Sequence, residues 1–280
     1  MIIKREAIQV LNLENLSTHT YLKGDTSKIY HMAFSEGKDK LVSYSKSSIK
    51  TWDVKSGQEL SSITNTLSTD SIAFFNDGRQ FAGGNQSGGI EIWDVINGKQ
   101  KNIKTNLDEI KTIKVTSDGK MALISNGKNS IQLLNLEDLK QIANITGPWS
   151  SVEALAISKN GEKVMYKSIG ATLKILDINN LNHAITIMEG HSDDINSISI
   201  SYDSKYAATS STDKTIRVWD LKEREELHRI NTNEDSLSSI KISSNGKWIV
   251  SSADKLIKIW DIETCKLVSS LNGHKGSVWA

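Results

Sequence analysis

Apolar and polar residues alternate with a period of two along most of the chain, in short segments separated by turns. The segments IKTWDV (49–54), IEIWDV (90–95) and IRVWDL (216–221) show the alternation most clearly. This period places successive side chains on opposite faces of a β-strand. Another apolar segment precedes each of these, after a turn such as Asp77-Gly78 or Asp118-Gly119. Such pairs favour tight hairpins, and no segment has helical periodicity, so the pattern predicts an all-β fold of short antiparallel strands.

The strand pattern is repeated along the chain. Four copies contain a Trp-Asp pair, and three weaker copies have Leu at the Trp position. The marker positions are Leu11, Trp52, Trp93, Leu134, Leu176, Trp219 and Trp260, at steps of 41 to 43 residues. Self-similarity at this period is typical of repeat architectures. Each full copy holds four strand-like segments and therefore predicts one four-stranded antiparallel sheet.

The period, the Trp-Asp pairs and the pairs Gly190-His191 and Gly273-His274 together resemble the WD40-repeat β-propellers over the whole chain. The resemblance implies an all-β, seven-bladed β-propeller in a single domain over residues 1–280. Six blades would be complete. The seventh would be assembled from both termini, because residues 274–280 align with a first strand and Met1 aligns inside a second strand.

Several positions of this seventh blade would have no residue. One explanation is that the chain is a fragment of a longer protein, cut in mid-strand. The other is that the seventh blade tolerates a short gap. We expect the fragment, because natural chains seldom stop within a strand.

One copy carries all four residues of the family's structural tetrad: His191, Thr209, Asp213 and Trp219. The resemblance implies that they form a hydrogen-bonded chain across the blade, which would satisfy four buried polar groups together. Thr, His and Asp could also suggest a catalytic triad. The repeat places them inside a blade and not in a cleft, so we interpret them as structural and predict no catalytic residue.

The other copies keep less of this tetrad. Asp254 and Trp260 keep half of it, with Thr232 at the His position. The copies that end at Trp52, Trp93, Leu134 and Leu176 lack the Asp. We expect these copies to depend on apolar packing and to open more readily than the copy of Trp219.

Binding in a propeller lies on its loops. In this family one face carries the loops that lead from each outer strand to the next inner strand, and here those loops are rich in acids. The acids proposed as partner contacts are Asp70, Asp108, Glu109, Glu153, Asp193, Asp194, Glu234 and Asp235. If the loops converge near the central channel, they form an acidic rim that attracts a basic peptide or tail. The alternative, that surface loops are simply polar, explains the excess equally well.

A ring of equivalent positions follows the first apolar residue of each innermost strand. Its members are Tyr30, Asp70, Lys111, Glu153, Asn196, Ser238 and Trp279. Varied side chains on a constant frame suit a specific, asymmetric partner, although neutral drift also predicts variation. Trp149, next to the only proline, is interpreted as core filling in preference to an exposed contact.

Composition narrows the function further. The chain has 34 basic and 33 acidic residues, so no global charge indicates a nucleic acid or a membrane. Cys265 is the only cysteine, which excludes a disulfide scaffold. Phosphate-loop, HExxH, paired CxxC and EF-hand motifs are absent, and the six His do not cluster at metal spacing. No apolar run is long enough for a membrane span, and the N-terminus lacks a signal-peptide core.

These observations predict a cytoplasmic, non-catalytic scaffold that binds a protein or peptide, and they predict no cofactor, metal, nucleic acid or membrane partner. One alternative is the sensor or regulatory domain of a larger enzyme or NTPase-type switch, truncated at residue 280. A weaker alternative is an enzyme that acts in the channel mouth, which would need a His or carboxylate pair with perturbed pKa values.

Overall fold

The structure is a computed structural model of the 280-residue chain. It describes residues 2–4, 7–12, 18–24, 29–35, 37–45, 47–64, 72–75, 79–94, 100–116, 118–126, 128, 130–138, 140–146, 154–168, 171–180, 186–234 and 237–272. The chain divides into two compact units. The first comprises residues 1–126 and 130–144, and the second residues 127–129 and 145–280. Within the described ranges, strands dominate and the helical element is a single 3-10 turn at Ile178–Asn180.

The first unit contains one three-stranded and three four-stranded antiparallel sheets. The three-stranded sheet has the order β1 (Ile2–Lys4), β2 (Ala7–Leu11), β3 (Thr18–Lys23). The next sheet comprises β4 (Ile29–Phe34), β5 (Lys40–Ser45), β6 (Ser48–Asp53) and β7 (Glu59–Thr64). It is followed by β8 (Ile72–Phe75), β9 (Gln80–Gly84), β10 (Gly89–Asp94) and β11 (Gln100–Lys104). The last comprises β12 (Thr112–Val115), β13 (Met121–Ser125), β14 (Ser130–Asn135) and β15 (Gln141–Thr146), whose final two residues belong to the second unit.

The second unit contains three four-stranded antiparallel sheets. They are β16 (Leu155–Ile157), β17 (Lys163–Lys167), β18 (Leu173–Asp177) and β19 (Thr186–Met188); β20 (Ile195–Ile200), β21 (Tyr206–Ser211), β22 (Thr215–Asp220) and β23 (Glu225–Asn231); and β24 (Leu237–Ile242), β25 (Trp248–Ala253), β26 (Leu256–Asp261) and β27 (Leu267–Leu271). We call each four-stranded sheet a blade and name it after its first strand. Strands follow chain order in every blade, and each strand pairs with its successor along the chain.

The Trp-Asp segments form the third strands of their blades. A third strand is an inner strand of its sheet, and its apolar side chains pack against the adjacent sheets. In β22, Ile216, Val218 and Trp219 all lie in the core. The Trp side chain packs on the preceding sheet of the same unit. Trp219 joins residues of the β16 blade such as Met165, and Trp260 joins residues of the β20 blade. The repeat period is therefore the interval at which a large side chain fills the space between consecutive sheets.

Three blades share a β-bulge in the fourth strand, beside the marker Trp. The register shifts by one residue at Thr51/Trp52, Val218/Trp219 and Ile259/Trp260. The unpaired residues are Leu60, Leu227 and Val268, and each is exposed. A bulge adds twist and interrupts the hydrogen-bonded ladder at that point.

The same three blades have a second bulge at the start of the first strand. The unpaired residues are Tyr30, Asn196 and Ser238. These are members of the ring of variable positions that the sequence singled out. The bulge re-aims the side chain away from the regular alternation, which gives these positions a physical distinction that the sequence did not reveal.

The six four-stranded sheets agree with the prediction of four strands per repeat. The three-stranded sheet has the strands expected for the second to fourth positions of a further blade. The residues expected to supply its first strand, 274–280, lie outside the described residues, as does Met1.

Candidate interaction surface

The β20 blade contains a buried chain of hydrogen bonds. The His191 Nε2 atom lies 2.7 Å from the hydroxyl oxygen of Thr209, and its Nδ1 atom lies 2.9 Å from Asp213 Oδ2. The indole N–H of Trp219 donates to the same Thr209 oxygen over 2.9 Å. The structure therefore brings the four residues of the sequence-predicted tetrad together within one blade.

The connectivity resembles that of a catalytic triad, but the side chains of His191, Thr209 and Asp213 are buried within the blade. The Asp213 carboxylate can only accept, so Nδ1 of His191 carries the proton and donates to it. In the neutral imidazole Nε2 then accepts from the Thr209 hydroxyl, whose oxygen accepts from the Trp219 indole. The Thr209 side chain is fully buried and its oxygen is occupied by the indole, so no substrate can reach it. These hydrogen bonds connect the loop before β20 with β21, β22 and the turn between them. Without them, the buried polar atoms would have no partner.

Electrostatics agree with a neutral imidazole beside a charged carboxylate. Burial lowers the pKa of His191 below its ordinary value, although Asp213 opposes the shift. Burial also disfavours the Asp213 carboxylate, but hydrogen bonds from Thr215, His191 and the Ser192 amide outweigh it and hold the pKa of Asp213 far below its usual range. Asp213 is thus the charged anchor of the network at neutral pH.

The network also holds the loop of residues 190–194, which leads into β20. The backbone N–H of Ser192 donates to Asp213 Oδ2 over 3.1 Å. The N–H of Thr212, in the turn between β21 and β22, donates to the carbonyl of Asp194 over 2.9 Å. The exposed loop is therefore attached to the buried tetrad through its own backbone.

Two side chains link this loop region to the neighbouring blades of the second unit. Lys167, at the end of β17, forms an ion pair with Asp194, with 3.1 Å between Nζ and Oδ1. On the other side, the Nδ2 of Asn196 donates to the backbone carbonyl of Leu237 over 2.8 Å. The region from residue 190 to 196 consequently spans three successive blades.

Several of the acids counted in the sequence have a lysine partner. Besides Asp194 with Lys167, Glu234 pairs with Lys258, and Glu109 lies 3.8 Å from the ammonium of Lys111. These pairs reduce the negative charge that a partner would meet. Among the described acids of these loops, Asp108, Asp193 and Asp194 are exposed, and the Asp194 carboxylate is the one of the three in an ion pair with Lys167.

The remaining candidates divide into two groups. Tyr30 is exposed at its bulge, with its ring centroid 6.2 Å from that of Tyr44. Candidates outside the described residues are Asp70, Glu153, Asp235 and Trp279, together with Trp149.

Two other blades keep the indole bond of the tetrad without its His. The Trp52 N–H donates to Ser43 Oγ and the Trp260 N–H to Ser251 Oγ, each over 2.9 Å. Asp254 keeps its sequence position but is exposed, with a φ of 48°. A serine on the neighbouring second strand is therefore enough to accept the hydrogen bond of the indole N–H.

An ion pair between the third and fourth strands, beside the marker Trp, was not predicted from the sequence. In the β20 blade, Arg217 pairs with Glu226; in the β4 blade, Lys50 pairs with Glu59 over 2.8 Å. A Cβ at Gly190 would lie 2.6 Å from the Arg217 guanidinium, so glycine permits this close approach. A basic residue two positions before the Trp, with a Glu seven positions after it, is the signal that could have found the ion pair.

Other chemistry has little support in the described residues. No group of three His, Cys, Asp or Glu side chains there is arranged to hold a metal. No helix among them is long and apolar enough to cross a membrane. Burial raises the pKa of the Cys265 thiol, which lowers its reactivity at neutral pH.

Comparison with known protein families identifies repeats in the second unit. The WD40 family model, described as WD domain, G-beta repeat, matches residues 182–220 and 224–261. These segments include most of the β20 and β24 blades, where the tetrad and its half-copy lie. A search of the curated proteins finds no match. The chain therefore contains two detected WD40 repeats, and its six four-stranded antiparallel sheets have the strand order of β-propeller blades.

Proposed function

We propose that this protein is a scaffold that binds a protein or peptide through the loop end of its second unit. WD40 propellers generally serve as non-catalytic interaction scaffolds, which supports the general class. The observation that carries the proposal is the 190–194 loop, whose exposed residues are held from below by a buried hydrogen-bond network. A preorganised loop loses little conformational entropy when a partner binds.

We propose a basic partner segment. Asp193 is exposed at the centre of this loop, and Asp108 is exposed in the equivalent position of the first unit's loops. A carboxylate in such a loop attracts Lys or Arg side chains and steers their approach. The lysine partners of Asp194, Glu234 and Glu109 limit the attraction, so we expect a local contact at the loop instead of a broad acidic rim.

A binding experiment with defined probes tests this surface. The chain is presented to two pools of short peptides, randomised around one fixed arginine or one fixed glutamate. We expect enrichment from the arginine pool, and loss of that enrichment in the variant Asp193→Lys with Asp194→Lys. The matched control is Asp203→Lys with Glu223→Lys, because these exposed acids lie in turns at the opposite end of the same strands.

Each outcome of this experiment has a distinct meaning. Retention of binding by the control and loss in the loop variant support the proposal. Retained binding in the loop variant contradicts the surface, and equal capture from both pools contradicts the basic partner.

We also propose a seventh blade within one domain over residues 1–280, located in the cytoplasm. The three-stranded sheet β1-β2-β3 has the strand order of a blade without its first strand, and residues 273–280 resemble residues 190–197. If residues 273–280 supply that strand, their deletion should speed amide exchange in Ile2–Lys4 while the β24 blade keeps its protection. Unchanged exchange in β1 would contradict the closure.

A further inference from the structure

The loop region of residues 190–196 is attached on both sides to neighbouring blades by polar contacts from Lys167 and Asn196. Lys167 belongs to the β16 blade and contacts the loop through Asp194, whereas Asn196 leaves the β20 blade to contact Leu237 of the β24 blade. We propose that these two contacts are positioning clamps, which hold the loop as a rigid bridge across three blades and set partner affinity without touching the partner. This inference rests on the proposed function of the same loop.

The geometry of Lys167 supports the first clamp. Its side chain is only 17% exposed, whereas that of Asp194 is 58% exposed. A largely buried lysine of the β16 blade therefore meets a mostly exposed carboxylate of the loop. An ion pair with one partly buried partner loses less to solvent and to side-chain entropy than a pair with two exposed partners.

The backbone around Asp194 transmits this restraint. Its carbonyl accepts from Thr212, and its own N–H donates to Asp193 Oδ1 over 2.7 Å. Movement of the Asp194 side chain thus shifts Asp193, the exposed carboxylate assigned to partner contact above. Lys167 consequently acts on binding through the shape of the loop.

The second clamp depends on the bulge at the start of β20. Asn196 is the unpaired residue of that bulge, and the shift in register directs its side chain away from the regular ladder. Its amide then satisfies the carbonyl of Leu237 and lies 3.3 Å from the hydroxyl of Thr212. An extra residue in one strand thereby supplies a hydrogen bond to the next blade.

These contacts assign different roles to three residues that the sequence grouped as partner contacts. Asp194 and Asn196 are positioning residues, and Asp193 is left as the contact. Lys167, which the sequence did not single out, joins the positioning set.

Amide exchange of the free protein tests the clamps without any partner. The variants are Lys167→Met, which keeps the apolar stem, Asp194→Asn and the double variant. We expect the amides of Ser192, Asp194 and Thr212 to exchange about two- to fivefold faster in each, with no further gain in the double variant, because all remove the same contact. Asn196→Asp should also accelerate exchange of the Thr212 amide, since it removes the side-chain N–H that donates to the Leu237 carbonyl.

The matched control is Lys205→Met, which removes the ammonium of an exposed pair with Asp203 in the turn at the other end of β20. If Lys167→Met changes the three loop amides no more than this control does, the clamp is overturned. If the increases in exchange rate of the two single variants add up in the double variant, Lys167 and Asp194 do not act through a shared contact, which also overturns the clamp.

Binding to the arginine-centred peptide pool separates this inference from the proposed function. Lys167→Met should weaken binding about two- to fivefold with accelerated loop exchange, whereas Asp193→Asn should weaken binding with unchanged exchange. Accelerated exchange with full affinity overturns the positioning role. Absence of binding by the unaltered chain overturns the proposed function, while the exchange experiment still decides the clamps.

Discussion

The β20 and β8 blades build the same four-stranded sheet around a marker Trp by different means. In the β20 blade, the Trp219 indole donates to Thr209 and the hydrogen bonds continue to His191 and Asp213. In the β8 blade, Gly83 occupies the position of Thr209, and the buried Trp93 N–H has no hydrogen-bond partner among the described residues. The strand pairing is the same, so the polar network is not what specifies the sheet.

Aromatic and glycine contacts replace the network in the β8 blade. The ring of Phe81 lies nearly parallel to that of Trp93, 6.3 Å away, and Phe74 meets Phe81 edge-on at 6.2 Å. Gly88, with a φ of 75°, lets the following loop pack directly on the turn, where Thr105 donates to its carbonyl. The comparison shows that the same four-stranded sheet forms around a buried Trp with or without the tetrad. We expect the tetrad to add stability and to hold the loop that precedes β20.

The largest effect is expected at the glycine contact of the β8 blade. A Cβ at Gly88 would lie 1.8 Å from the Leu107 carbonyl oxygen, and the positive φ adds strain. Gly88→Ala should lower the free energy of unfolding by about 3 kcal/mol, measured by urea denaturation. Gly246→Ala is the control, because Gly246 has a similar φ of 70° but nothing within 4 Å. Equal losses in the two variants would show that backbone strain alone matters.

The second largest effect is expected at the anchor of the tetrad. Asp213→Asn keeps the shape but removes the charge that accepts from His191, Thr215 and Ser192, at a cost of about 2 kcal/mol. Urea denaturation measures the loss. Asp203→Asn, in an exposed turn, should cost much less. Similar values for the two would mean that the tetrad carries no special stability.

Native-state hydrogen exchange compares the two blades directly. Because the β8 blade lacks the polar network, we expect the amides of β9 and β10 to exchange about tenfold faster than those of β21 and β22. The other blades without the Asp should behave like the β8 blade. Uniform protection across the blades would contradict the expectation.

A hydroxyl group at the Trp93 indole should make the β8 blade more stable and so reduce its difference from the β20 blade. Gly83→Ser places an acceptor where Ser43 and Ser251 serve the other indoles. We expect a gain in the free energy of unfolding of about 1 kcal/mol, from the new bond and the loss of glycine flexibility in the unfolded chain. Gly83→Ala separates the two contributions; an equal gain from alanine would exclude the hydrogen bond.

The smallest effect concerns pH and is confined to the tetrad. The pKa of His191 is lower in the folded protein than in the unfolded chain. The unfolded state then binds the proton first, so stability is complete above pH about 6.5 and falls as pH drops below it. Stability of His191→Gln, measured from pH 7.5 to 5 (about the range where free His titrates), should lack this component. Parallel curves for the two proteins would contradict it.

Strand positions and pairing could be predicted from the sequence because they depend on local features. Alternation of apolar residues and turn pairs such as Asp118-Gly119 act within a few residues. The bulges could not be predicted, since the extra residue Leu227 or Asn196 carries no mark of its own in an alternating segment. The same holds for the ion pair of Lys167 with Asp194, whose partners meet only after two blades have packed. An excess of acids in loops was therefore visible, but the lysines that neutralise them were not.

The bulges beside Trp52, Trp219 and Trp260 also bear on solubility. A protein made of similar sheets presents similar unpaired edges, and each edge is a potential template for a strand of another copy. At Leu60, Leu227 and Val268 an exposed aliphatic side chain would strengthen such pairing. The extra residue at each of these points interrupts the spacing of donors and acceptors, which disfavours the pairing of a second strand along the edge. In the β4, β20 and β24 blades the bulge therefore opposes the stacking of copies into fibres along the outer strand.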